Sequence, residues 1–314
     1  MIRFFRVGLA LILCAALALS VPVSLAQDDV TEIYTAAQLS AIRDDVGGNY
    51  RLMADITFTE ADFAEGGAFY NAGAGWDPIG KTYATRFTGE LDGNGHTVSG
   101  LQINITESAG QSTIYGGMFA QAAGTIKDLT MVDTRITVGN SQYANAAPIA
   151  AAGMGDILNC RAEDTVITVK NISVTARAGG IVGYCYKGTV DGCVATGSID
   201  NEAMSPLAGG IAGQSGGALQ RSMARMSLSI VSRSDCYAGG IVANNSGTVS
   251  ACLSDCVLRA ESAADGNIGG IVGISRGAVR DCLALGEQIR LVSHYDNYGG
   301  VCGVSQSTVA NSYY

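Results

Sequence analysis

Proline occurs 4 times in 314 residues, histidine twice and tryptophan once, and charged residues make up only 15% of the chain. Each scarcity removes a class of protein. A collagen-like triple helix needs abundant proline with glycine at every third position, and a disordered segment needs high charge with few aliphatics, which an apolar share of 47% contradicts. The two histidines, His96 and His294, lie far apart and cannot supply the two ligands one helical turn apart that a zinc peptidase requires. No Cys-x-x-Cys pair occurs, so neither a metal nor a cofactor is expected. Basic residues number 19 against 28 acidic ones with no basic run, which argues against nucleic acid and anionic membranes as partners.

What is abundant is glycine, 42 residues or about 13% of the chain, roughly twice the usual share. Together with many aliphatics and little charge, it suggests short strands separated by tight turns. The amino terminus is set apart from this pattern. Residues 1–6 carry Arg3 and Arg6 and no acid, residues 7–21 are nearly all apolar, and small residues precede Gln27. This reads as a secretory signal peptide over residues 1–26, cleaved after Ala26, because the apolar run is shorter than the ~20 residues of a membrane span. The protein is therefore expected to be exported, extracellular or at the cell surface, touching the membrane only through the cleaved peptide. Without its two arginines the mature chain has 17 basic and 28 acidic residues, a net charge of −11.

Gly-Gly followed by two apolar residues recurs at Gly116-Gly117, Gly179-Gly180, Gly209-Gly210, Gly239-Gly240, Gly269-Gly270 and Gly299-Gly300, the last four intervals being 30 residues each. Ala146-Ala147-Pro148-Ile149 fills the place of a degenerate copy between the first two, which makes seven repeats from about residue 116. Two apolar columns follow the same period: Leu129, Cys160, Cys193, Ser222, Cys252, Cys282 and Ser312, then Ile136, Ile167, Ile199, Leu228, Leu258 and Ile289. Each repeat thus offers three apolar segments too short and too β-branched for helices. One repeat cannot bury its own apolar face, but repeats stacked in register pair each strand with its copy ~4.8 Å above. The period predicts an all-β parallel solenoid, most simply a three-sided β-helix over residues 49–314. Residues 27–48 are expected to form an N-terminal cap with a short helix, for which Thr35 is the N-cap and Leu39 and Ile42 the buried face. Residues 50–56 alternate as one strand, and residues 87–103 supply further strand around the turn Asp92-Gly93-Asn94-Gly95. The chain ends inside repeat seven with Tyr313-Tyr314, so an open last rung is expected to be available for end-to-end contact.

The string FTGELDGNGHTVSGLQI at 87–103, preceded by YRLMADI at 50–56 and WDPIG at 76–80 and followed by repeats of the form GGIVGxxxGTVxxC, resembles the GLUG-motif proteins of bacteria. The resemblance covers residues 31–314. The family's central motif is carried by residues 179–183, 209–213 and 269–273; Ala243 replaces its closing glycine in one copy, and the copy at 146 has lost it. The resemblance implies exported or cell-surface proteins with right-handed β-helices, the motif also being found in some immunoglobulin A-specific metallopeptidases outside the catalytic part.

Chemistry is sparse in this pattern. Asp128, Asp133, Asp156, Asp191, Asp255 and Asp281 recur at turns, and Asp128, Asn159, Asp281 and Asn311 share one column interrupted by Gly192, Arg221 and Ala251. Side-chain hydrogen bonds at a corner explain that column better than a catalytic dyad. No catalytic residue is expected. Of the eight mature cysteines, four fall in one inward column, where reduced core packing is favoured over disulfides. Tyrosines outside the columns are the candidate ligand-binding residues, because their faces stack on sugars or peptides at small entropic cost: Tyr184 and Tyr186, and Tyr295 and Tyr298. The expected function is non-enzymatic, adhesin-like binding of a glycan or a surface or host protein. A polysaccharide-degrading β-helix enzyme and a structural spacer of a longer surface protein are the alternatives.

Overall fold

The computed structural model describes residues 29–107, 110–286, 289–292 and 295–314, the backbone alone at 289–292 and 295–296. The expected signal peptide and His294 lie outside the described residues. Among those residues are three parallel sheets of ten, sixteen and seven strands, each strand paired with its counterpart in the next repeat. The first sheet runs from Val30–Ile33 and Asn49–Leu52 to Val309–Ala310, and the third from Phe119–Ala122 to Cys302–Ser305. The architecture is a parallel β-solenoid of about seven regular turns, preceded by less regular coils.

The register follows the apolar columns. Ile136, Ile167, Ile199, Leu228, Leu258 and Ile289 are directly paired, and Ile103 extends the row by one rung. The second column, Leu129, Cys160, Cys193, Ser222, Cys252 and Cys282, is buried throughout. Eight cysteines lie among the described residues, seven of them buried, so sulfur serves here as small apolar filling.

Corners explain what had looked like an interrupted column. Asp128, Asn159, Gly192, Arg221, Ala251, Asp281 and Asn311 all have positive φ, between 47° and 66°, so one left-handed corner repeats seven times. Asparagine, aspartate and glycine suit that conformation; arginine and alanine adopt it only because the rungs above and below impose it. Side chains link successive corners, Asn159 Nδ2 donating to Asp128 Oδ1 at 3.2 Å and Asn311 Nδ2 to Asp281 Oδ1 at 3.1 Å.

Two stretches differ from expectation. Residues 50–56 are two strands, Asn49–Leu52 in the first sheet and Ile56–Thr57 in the second. Asp55 turns the chain between them by accepting the Thr97 N–H at 2.9 Å. Likewise the turn at 92–95 joins strands of different sheets, Glu90–Asp92 and Thr97–Ser99, and is a solenoid corner. The helix Ala36–Ala41 is capped by Thr35, whose hydroxyl accepts from Gln38 N at 3.3 Å, and Leu39 and Ile42 are buried. A single parallel strand, Val30–Ile33, precedes it and pairs with Asn49–Leu52. Residues 58–86 form an aromatic cap: Phe58 packs edge-on against Phe69 and Trp76, with ring centroids 5.1 and 5.7 Å away, and the buried Trp76 donates Nε1–H to Met118 O at 3.0 Å.

Glycine is required where rungs touch. A Cβ on Gly277 would lie 1.6 Å from Gly247 O, a backbone atom that cannot move without shifting a rung. Gly277→Ala is therefore expected to lower stability by about 1–3 kcal/mol, the usual cost of overpacking. Ala251→Asn, which relieves left-handed alanine, is expected to raise it by up to ~1 kcal/mol. Thermal unfolding of the two variants checks both signs; a neutral Gly277→Ala would contradict the rung spacing.

Candidate functional site

Of the four tyrosines singled out in the sequence, the fold joins two. Tyr184 and Tyr186 lie on and just after the strand Val182–Cys185, with ring centroids 3.7 Å apart and planes 30° apart; Tyr186 is exposed. Tyr298 pairs with Ile268 in the column that holds Ala178, Ala208 and Ala238, an inward row, four rungs or ~19 Å along the axis from Ala178. Its 68% exposure follows from its place on the last described strand of that sheet. The Tyr295 backbone pairs with Asp265, and its side chain lies outside the described residues.

The tyrosine pair is not alone. Arg177, at the end of the strand Arg161–Gly179, and Tyr184 stand on opposite sides of the Gly179-Gly180 bend. The bend is tight: a Cβ on Gly183 would come within 3.2 Å of Arg177 O and 2.9 Å of Ala146 N. Only glycine lets the two strands approach this closely, and their side chains meet outside it. The Arg177 guanidinium carbon sits 4.8 Å from the Tyr184 ring centroid, and Nε donates to Gln214 Oε1 at 2.5 Å. Tyr115, Tyr143 and Tyr186 lie within electrostatic reach of the same guanidinium, and burial holds its pKa below the usual arginine value. Burial likewise raises the Tyr115 and Tyr186 hydroxyls, so these rings stay neutral. Sequence inspection misses Arg177, Tyr115, Tyr143 and Gln214 as site residues. The available signal was register: Tyr115, Asn145 and Arg177 occupy one column on successive rungs, as do Tyr184 and Gln214.

Beside this cluster, with Tyr115 as a shared wall, opens a cleft of about 200 Å³ bounded also by Asp77, Lys81, Glu107 and Ala120. Asp77 is held there by Arg43 at 3.5 Å and by Lys81. The acids recurring at turns do not converge. Asp191 pairs with Arg221 and Asp255 with Arg225, each across one rung; Asp133 pairs with Arg135, and Asp156 Oδ1 accepts the Thr189 N–H at 2.8 Å. No group of three or more metal-ligating side chains occurs among the described residues. Burial pushes the Cys185 and Cys256 thiols up to about 11, which makes them poor nucleophiles, whereas a hydrogen bond with Cys252 lowers buried Cys282 to about 7. His96 Nδ1 lies 3.0 Å from Asp55 Oδ1 at the same corner that receives the Thr97 N–H.

The chain is thus a parallel β-solenoid with a tyrosine–arginine cluster on one outer corner. No family model matches it. Halomucin of Haloquadratum walsbyi is 33% identical over 159 residues, which is 50% of this chain and 2% of halomucin. A "Putative Gly-rich membrane protein" of Evansella cellulosilytica is 34% identical over 111 residues, 34% of this chain and 11% of that protein. The chain spans only a small part of the length of either relative. A crystal structure from Bacteroides ovatus, described as "a putative immunoglobulin A1 protease", shares the fold with a TM-score of 0.63 at 19% identity, over 90% of this chain and 84% of that one. No helix among the described residues is long and apolar enough to cross a membrane.

Hydrogen bonding to Thr97 N–H, and secondarily to His96, lowers the Asp55 pKa from 3.8. A depressed folded pKa stabilises the fold above the unfolded value and loses that contribution as pH falls through the folded one. An NMR titration of the Asp55 carboxyl is expected to give a midpoint below 3.8, and a midpoint at or above it would contradict the corner geometry.

Proposed function

We propose that this protein is an exported or cell-surface, non-enzymatic β-solenoid of the GLUG type that binds glycan or surface protein in an adhesin-like way. The observation that carries the reading is the stacked, outward pair Tyr184 and Tyr186, mounted beside Arg177 on a corner whose backbone is fixed by rungs on both sides. Rigid aromatic faces with few rotatable bonds bind at low entropic cost. The names of the relatives, a halomucin and a Gly-rich membrane protein, accord with a place at the cell surface. Carboxylates engaged across rungs, and a cleft with Asp77 already bridged by two cations, support binding over turnover.

The test is a glycan array with the mature protein, followed by a reducing-sugar release assay on any polymer bound. Binding without release is expected, and a Tyr184→Ala/Tyr186→Ala double variant is expected to lose it by about tenfold or more, the scale of a lost stacking contact. Steady release of sugar from a uronic polymer would overturn the reading in favour of a polysaccharide-degrading enzyme.

A further inference from the structure

Arg177 differs from most arginines of the outer surface; besides it, Arg86, over the ring of the nearby Tyr83, and the exposed Arg259 and Arg276 lack a carboxylate partner among the described residues. Arg51, Arg161, Arg221, Arg225 and Arg233 each hold a carboxylate, and their side chains are 46–70% exposed. Arg177 is half-buried, yet among the described residues it has no carboxylate within the 4.0 Å that defines an ion pair. One hydrogen bond, from Nε to Gln214, and the Tyr184 ring are the contacts that fix it. Removing a cation from water without a counter-charge is unfavourable, and in a chain with 28 acidic residues a partner would have been easy to place.

A second irregularity lies one rung away. Asn145 pairs with Arg177 on one side and Tyr115 on the other, is 2% exposed, and its Oδ1 has no hydrogen-bond partner among the described residues. Buried acceptors are rarely left so. Arg177, without a counter-ion, and Asn145, with an unpartnered acceptor, therefore stand on adjacent rungs whose backbones are about 4.8 Å apart, beside a cleft walled by Tyr115 of the rung before.

We infer that this corner is a binding site for a carboxylate-bearing saccharide, the Arg177 guanidinium taking the carboxylate and the Tyr184 and Tyr186 faces taking the sugar ring. The terminal N–H groups of Arg177 make a planar fork that matches a carboxylate. The adjoining cleft, bounded by Asp77, Lys81, Glu107 and Ala120, with Lys81 paired to Asp77, gives room for a hydroxyl-bearing part of the same chain of sugars and not for a second carboxylate. This rests on the glycan-binding reading above and narrows it to acidic glycans. An acidic peptide offers the carboxylate without a ring face for the tyrosines.

Calorimetry with the mature protein tests it, using oligogalacturonate and a sialylated trisaccharide as the two sources of a sugar carboxylate. The methyl-esterified oligogalacturonate, a neutral galactose oligomer and oligoglutamate are the comparisons. At least one acidic saccharide is expected to bind, and esterification and Arg177→Gln are each expected to weaken it by about tenfold or more, the scale of a lost charge-assisted hydrogen bond. Arg225→Gln, on another strand, is expected to change affinity less than threefold. An unchanged melting temperature for Arg177→Gln keeps the comparison about binding; if that variant unfolds, Arg177→Lys, which keeps the charge and loses the fork, is expected to weaken binding in its place. Equal affinity for esterified, neutral and acidic oligomers would overturn the acidic-sugar inference and leave glycan binding standing. Binding of oligoglutamate alone, or of none of the probes, would overturn both.

Discussion

Every feature of this protein depends on parallel backbone pairing between copies of one repeat, held in register. Strands ~4.8 Å apart leave no room for a change of residue volume on the inner side unless neighbouring rungs change with it. The inner column from Ile136 to Ile289 accordingly repeats isoleucine or leucine, and the one from Cys160 to Cys282 repeats cysteine or serine. The outer side has no such requirement. The corner at residues 128, 159, 192, 221, 251, 281 and 311 shows how strong the constraint is, since even Arg221 and Ala251 are drawn into a left-handed conformation by the turns they match. Glycine at Gly277 is the same constraint in another form, a side chain removed because the next backbone occupies its place.

The scaffold also determines where binding chemistry can reside. An inward side chain is committed to a ladder, and a side chain in the middle of a sheet faces solvent alone. At the Gly179-Gly180 bend two strands converge, so that outward groups from different sheets meet, and Arg177, Tyr184 and Gln214 assemble there. Elsewhere on the surface, charges from successive rungs pair with each other, Arg221 with Asp191 and Arg225 with Asp255, and neutralise locally. The chain carries a net charge of −9, yet at this corner it keeps a half-buried cation without a counter-ion among the described residues. A charge left in this state is open to an anionic partner in a way that a paired one is not.

The ladders were legible in the sequence because they are periodic: Ile136 to Ile289 could be aligned by eye, and the structure pairs them residue for residue. The cap helix was legible through Thr35. The aromatic cap of Phe58, Phe69 and Trp76 was not, because nothing in its spacing repeats. Nor was Arg177, which looks like any surface arginine until the bend brings Tyr184 to it. Tyr298 shows the opposite error: the sequence set it outside the columns, whereas it stands in the row of Ala178, Ala208, Ala238 and Ile268. Residues 50–56 read as one strand because alternation continues across a corner that Asp55 turns by hydrogen bonding.

In-register stacking is tested most directly by one distance. Lys127 pairs with Leu158, and the same row continues through Asp191, Gln220, Ser250, Arg280 and Ala310, six rung steps in all. Six steps at the strand spacing predict about 29 Å between backbone positions 127 and 310. Pulsed electron paramagnetic resonance with spin labels carried on non-natural amino acids at those two positions, leaving the buried thiols untouched, measures it. A single narrow distribution near that distance, after allowance for the label arms, is the result the stacked solenoid predicts; a broad distribution, or one centred far from it, would contradict the register on which both the core and the tyrosine–arginine corner depend.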